Sequence, residues 1–188
     1  MKRNIKPLMA AVLFACAVVC TAAPAAIWLD VPFVKQDENG CGAASVAMVM
    51  QYWEGQQGLS RNDSSDVLRI QRSLYSARAR GIYASDLERY FEQHGYRAFA
   101  FTGRAEDLEQ HLAKGRPLIV ALKPEGGGTL HYLVVVGVDR QQNLVLLNDP
   151  SERKLLRREL STFEKEWKGA GHWTLLAVPQ AGGAPAAP

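Results

Sequence analysis

The run Gln36-Asp37-Glu38-Asn39-Gly40-Cys41-Gly42-Ala43-Ala44-Ser45 sets a thiol immediately ahead of a long apolar segment. A thiol is a weak nucleophile until it loses its proton. A helix N-terminus or a neighbouring imidazolium can lower its pKa from about 8.5 into the range of roughly 3.5 to 7.5. Cys41 stands where the helix supplies the first effect; the second requires a histidine. His131 opens the apolar run His131-Tyr132-Leu133-Val134-Val135-Val136-Gly137, directly after the flexible Gly126-Gly127-Gly128-Thr129. A histidine at a strand end beside such a loop can reach into a cleft. Its other reading is a structural imidazole bonded to backbone, and the other reading of a free cysteine is a small buried hydrophobe.

A third group would orient the imidazole. Asp149, in Asn148-Asp149-Pro150, follows the next apolar run, and if the two runs pair as a hairpin it returns to the end of the sheet that carries His131. It could then accept the imidazole N–H, although Asp-Pro also simply starts turns. Asn148 points to the other face, so Asp149 is preferred. Gln36 is the candidate oxyanion donor, together with the Cys41 backbone N–H; Asp37 or Asn39 could face the site instead. His172 is the rival to His131, since it also precedes a strand, but no carboxylate follows that strand. His94 reads as a helix C-terminal residue and His111 as a solvated one. The histidines are scattered, with no Cys-x-x-Cys and no His-Glu-x-x-His, so no metal or other cofactor is expected. Nor is there a Gly-x-Ser-x-Gly elbow for a serine nucleophile.

The elements that must position these groups are partly legible. Cys41 to Trp53 has almost no polar face and reads as a helix buried on most sides. Ser85-Asp86-Leu87-Glu88 has the pattern of a capping box opening a helix that stops at His94-Gly95, and Ala105 to Lys114 reads as another helix ending at Gly115. Residues 117–122, 132–138, 144–147 and 173–178 read as strands, with a turn over 138–143. Ser161-Thr162-Phe163-Glu164 has the capping-box pattern again and opens a short helix through Phe163 and Trp167. The expectation is an α+β domain, with N-terminal helices packed on a C-terminal, largely antiparallel sheet. Residues 55–84 carry Arg61, Arg69, Arg72, Arg78 and Arg80, which could wall a cleft or form a solvated face.

The chain ends read differently. Lys2, Arg3 and Lys6 precede an apolar run from Leu8 to Cys20, and Ala23-Pro24-Ala25 is a small-x-small cleavage pattern, so residues 1–25 read as a secretory signal and the protein as exported. A retained anchor or a lipid-modified Cys16, in Leu13-Phe14-Ala15-Cys16, would instead fix it to a membrane. The net charge of the whole chain is +3, and those three basic residues account for all of it. No Lys/Arg stripe interleaved with aromatics then remains to suggest nucleic acid. Of the three cysteines, Cys16 and Cys20 leave with the signal, and no intramolecular disulfide is expected. Residues 27–179 read as one domain, and 180–188, rich in Ala, Gly and Pro, as a disordered tail.

Taken together, Val31-Pro32-Phe33, Gln36 and Cys41-Gly42-Ala43-Ala44-Ser45, a buried helix, His131-Tyr132 opening a strand and Asn148-Asp149-Pro150 resemble the C39-type cysteine peptidases. That family shares the papain-like fold and includes the bacteriocin-leader peptidases. The resemblance spans about Leu29 to Val178. It implies Cys41 as nucleophile, His131 as general base and acid, Asp149 as orienter, Gln36 in the oxyanion hole and a peptide or protein as substrate. Four residues separate Gln36 from Cys41, where the family pattern usually has five. Leader peptidases of this type usually belong to ABC exporters, whereas no Gly-x-x-x-x-Gly-Lys-Ser/Thr loop for ATP occurs here. The resemblance thus suggests a stand-alone exported relative with a functional link to an exporter. Two other uses of the same cleft stay open: an amidase or acyl transferase acting on a non-peptide or cell-wall amide, and a non-catalytic peptide-binding module.

Overall fold

The computed structural model describes residues 26–180. The expected signal, with Cys16 and Cys20, and all of the expected tail beyond Gln180 lie outside the described residues. Gln180 itself is tied down, its N–H donating to the Gly95 carbonyl at 3.0 Å and its Nε2 to that of Tyr96 at 3.3 Å.

In chain order the elements are β1 (Ala26–Trp28), α1 (Cys41–Gln56), α2 (Val67–Leu74), α3 (Ala84–Gln93), β2 (Tyr96–Thr102), α4 (Ala105–Leu112), β3 (Leu118–Leu122), β4 (His131–Asp139), β5 (Leu144–Asn148), β6 (Leu156–Glu159), α5 (Leu160–Gly169) and β7 (Trp173–Pro179). The strands form one antiparallel sheet in the order β2-β7-β3-β4-β5-β6, with β1 joined to β4. The α+β expectation holds. Four elements escape sequence reading, for physical reasons. β1 has only three residues. β6 reads Leu-Arg-Arg-Glu, the charged composition of an edge strand, and β2 is likewise an edge, with Phe99 exposed. α2 is short and is started by Asp66, whose Oδ1 accepts the Arg69 N–H at 2.9 Å.

Neither expected capping box forms. α3 starts after Tyr83 and α5 after Glu159, both without a side-chain cap. Ser85 already lies in the first turn of α3. β6 runs into α5 with no connecting residue, so Ser161 lies inside that helix too.

Side chains alternate across β4, and both of its faces are buried. Tyr132, Val134 and Val136 pack with α1, α2 and α3; Leu133 and Val135 pack with Leu108 and Leu112 of α4 and Phe163 and Trp167 of α5. Strands covered on both faces read as continuous apolar runs, which is why β3 and β4 were visible in the sequence. Two glycines permit close approaches. A Cβ on Gly137 would lie 2.6 Å from the Ile27 carbonyl oxygen, where β1 crosses β4 beside a register shift in the β4–β5 pairing. A Cβ on Gly42 would lie 3.2 Å from Ile82 Cβ and 3.3 Å from Leu87 Cδ2, so the start of α1 sits hard against the start of α3.

Candidate active site

Helix α1 begins at Cys41. Its N-cap residue, Gly40, has no side chain to offer, and no acidic residue stands in the first turn. The free N–H groups of this helix end therefore have no side-chain cap, and the thiol sits among them. Cys41 is half-buried. Burial pushes the thiol up, but hydrogen bonds from His131 and from the backbone N–H groups of Tyr132 and Gly42, with the His131 charge, outweigh it and hold Cys41 below its ordinary value.

His131 Nε2 lies 2.7 Å from Asp149 Oδ1, with the two side chains 25% and 3% exposed. This leaves Nδ1 as the ring nitrogen for the thiol. Burial works against the imidazolium, yet the hydrogen bond to Asp149, the contact with Cys41 and both opposing charges raise His131 to about 9. Burial likewise works against the Asp149 carboxylate, but His131 and two donors from Ser151 hold it below the usual carboxylate range. The three directions are mutually consistent: the thiol is lowered, the imidazole raised and the carboxylate lowered, each by its neighbours in this group.

The hairpin delivers this geometry. Val134 pairs with Asn148, so the end of β5 returns beside the start of β4 and Asp149 lies just past the pairing. The turn that closes the hairpin is held by the Gln142 N–H on Asp139 Oδ1 at 2.9 Å, with Asn143 at φ 56°. Asp149 is also a turn residue, since the Ser151 N–H donates to its Oδ1 at 2.9 Å, an Asx turn. Both sequence readings of Asp149 thus describe one side chain. Asn148 does point elsewhere. It is buried, its Nδ2 donates to the Val31 carbonyl at 3.1 Å and its Oδ1 accepts the Leu155 N–H at 3.1 Å, bracing the segment that leads to Cys41.

Gln36 lies next to this assembly. Its backbone N–H donates to the Pro150 carbonyl at 3.0 Å, and its side-chain oxygen is buried without a partner. The shortened link to Cys41 is taken up by a tight turn in which the Gly40 N–H donates to the Asp37 carbonyl at 3.0 Å and Asn39 has φ 57°. Asp37 and Asn39 are both exposed on that turn.

The other candidates go elsewhere. His94 is the C-cap of α3, its Nδ1 bonded to the Tyr90 carbonyl at 2.7 Å. His111 is not solvated as expected: it is half-buried beside Phe101, its Nδ1 has no partner, and burial and nearby Arg116 and Lys114 push it below its ordinary value. His172 does have a carboxylate, Glu164 of α5 at 2.7 Å, which sequence order concealed because the helix precedes the strand. The arginines do not form one cleft wall. Arg61, Arg69 and Arg72 line a cavity of about 410 Å³ with Gln51, three turns along α1 from Cys41, while Arg78 and Arg80 stand on the exposed Ser76–Gly81 turn. Among the described residues no cluster of His, Cys, Asp and Glu is arranged to hold a metal ion. Sequence reading missed Ser151 and the Tyr132 and Gly42 N–H groups; the Asp-x-Ser spacing was the available signal for Ser151, and main-chain donors leave none.

The Peptidase_C39 like family model matches residues 28–174. The chain belongs to that family. It is a cysteine peptidase of the C39 type, and its fold is papain-like. The lactococcin-G-processing and transport ATP-binding protein LagD of Lactococcus lactis subsp. lactis is 29% identical over 135 residues, covering 72% of this chain and 17% of the relative. The C39 chain thus spans a small fraction of that exporter. A structure described as a C39-like peptidase from Bacillus anthracis superposes with a TM-score of 0.63 at 18% identity, covering 83% of this chain and 98% of the other. The peptidase domain of Streptococcus ComA, a bi-functional ABC transporter involved in quorum sensing, gives 0.61 at 21%, covering 80% and 98%.

Proposed function

We propose that this C39 protein is an exported peptidase that hydrolyses peptide bonds through Cys41, His131 and Asp149. One observation carries the reading: a thiol at a helix start with no side-chain cap, held below its ordinary value beside an imidazole whose Nε2 lies 2.7 Å from a buried carboxylate. The Cys41 sulfur attacks the scissile carbonyl carbon, and the carbonyl oxygen takes the negative charge beside the Cys41 N–H, with the Gln36 amide as second donor. His131 passes its Nδ1 proton to the leaving amine as the C–N bond breaks, leaving a thioester on Cys41. The imidazole then takes a proton from water, the hydroxide displaces the sulfur, and the acid product and thiolate–imidazolium pair are regenerated. Asp149 stays ionised throughout and holds the ring.

The kinship with exporter domains favours peptides that cross a membrane as substrates. The basic start, apolar run and Ala23-Pro24-Ala25 favour export of the enzyme itself. Mass-spectrometric profiling of a peptide library with the unsubstituted protein and Cys41→Ala tests the activity: cleavage with one and none with the other is expected. Turnover only of cell-wall amides, or peptide binding without cleavage by either, would overturn the peptide-bond reading. N-terminal sequencing of protein recovered outside the cytoplasm should begin near Ala26; a chain retained inside with Met1 intact would overturn export.

A further inference from the structure

Asp149 Oδ1 receives three donors: His131 Nε2 at 2.7 Å, the Ser151 N–H at 2.9 Å and Ser151 Oγ at 2.8 Å. Ser151 Oγ also lies 3.5 Å from His131 Nε2. The hydroxyl therefore stands at the junction of the carboxylate and the ring, on the side of the imidazole away from the thiol. The Asx turn needs only the Ser151 N–H. The hydroxyl is not required for that turn, and Ser151 is exposed, so no packing demand explains its position.

We propose that Ser151 is a positioning residue for the Cys41–His131–Asp149 assembly, its hydroxyl pinning Asp149 Oδ1 and setting how strongly that carboxylate binds the imidazolium. The inference rests on the proposed roles of Cys41, His131 and Asp149. Two consequences follow from a shared acceptor. First, a hydrogen bond donated to Oδ1 restrains the oxygen that orients His131, so its loss lets the ring wander from the thiol. Second, it draws negative charge from the oxygen that faces His131. Without it the carboxylate becomes a stronger acceptor and the imidazolium holds its proton to higher pH. A residue that merely supported the loop would slow the reaction without moving the His131 titration in that direction.

The test measures carboxymethylation of Cys41 by iodoacetate across pH in the full chain, for the unsubstituted protein, Ser151→Ala and Ser151→Thr. Iodoacetate is an anion, so the rate rises as the thiol ionises and falls as the imidazolium that attracts it loses its proton. Ser151→Ala is expected to lower the plateau about two- to tenfold and to move the alkaline limb upward by about half a pH unit. Ser151→Thr, which keeps the hydroxyl, is expected to restore both. A limb that stays in place or moves down in Ser151→Ala, beside a normal profile for the unsubstituted protein, would overturn the role of Ser151 alone. An unsubstituted protein with no alkaline limb, alkylated no faster than a free thiol, would overturn the Cys41–His131 pairing and with it the role of Ser151.

Discussion

Among the described residues stand two histidine–carboxylate pairs of the same length, and they sit in different surroundings. His131–Asp149 and His172–Glu164 both have Nε2–O distances of 2.7 Å, and the imidazoles are 25% and 24% exposed. Both histidines introduce strands that flank β3, so they stand at the same end of the sheet. The difference lies in the surroundings. Asp149 is 3% exposed where Glu164 is 47% exposed. His131 meets α1 and its thiol, whereas His172 packs against Trp167, ring centroids 5.0 Å apart, on the α5 side of the sheet. Distance alone does not make a dyad catalytic. What sets His131 apart is a buried carboxylate on one side of its ring and the Cys41 thiol on the other.

Substitutions can break this contrast at several points. The largest effect is expected at the thiol and ring: Cys41→Ala should abolish peptide cleavage, and His131→Ala should lower kcat/KM by about 10²–10⁴-fold, while His172→Ala leaves it within about twofold. Equal losses at the two histidines would erase the distinction. On the α5 face the expected loss is in stability. Trp167 is fully buried, and Trp167→Ala should cost about 3–5 kcal/mol in denaturant unfolding, with the rate of Cys41 alkylation per folded molecule nearly unchanged. The close approach at Gly137 predicts a smaller loss, about 1–3 kcal/mol for Gly137→Ala, since the added carbon meets the Ile27 carbonyl. Glu164→Gln should be smaller still, within about 1 kcal/mol in the same measurement, because the Glu164 side chain is 47% exposed.

The pH profile separates the pairs. Cys41 lies below its ordinary value, so activity rises as pH climbs through the thiol's titration; His131 is raised to about 9, so the general acid is lost and activity falls above that pH. Asp149→Asn removes the charge that raises His131 and should move the alkaline limb down, whereas Glu164→Gln should leave it unmoved. A limb that follows Glu164 would place the working histidine on the wrong strand.

Much of the catalytic arrangement was legible because its parts are local. A cysteine at a helix start, a histidine opening an apolar strand and an aspartate one residue past the next strand each carry their meaning within a few residues, and a short hairpin fixes the relation between the last two. The strands buried on both faces were legible for the same reason. What sequence reading got wrong depended on contacts distant in the chain or on exposed edges. Glu164 precedes His172 from a helix, and β1, β2 and β6 owe their structure to their neighbours' backbones.

The sequence by itself determined the chemistry available to this protein, because the nucleophile, imidazole and carboxylate, with the apolar runs between them, are properties of residue type and spacing. Only the tertiary structure decided which histidine faces the thiol. That choice depends on which side of the sheet α1 covers, on Asn148 bracing the approach to Cys41 and on the burial of Asp149, and those are matters of packing across the fold.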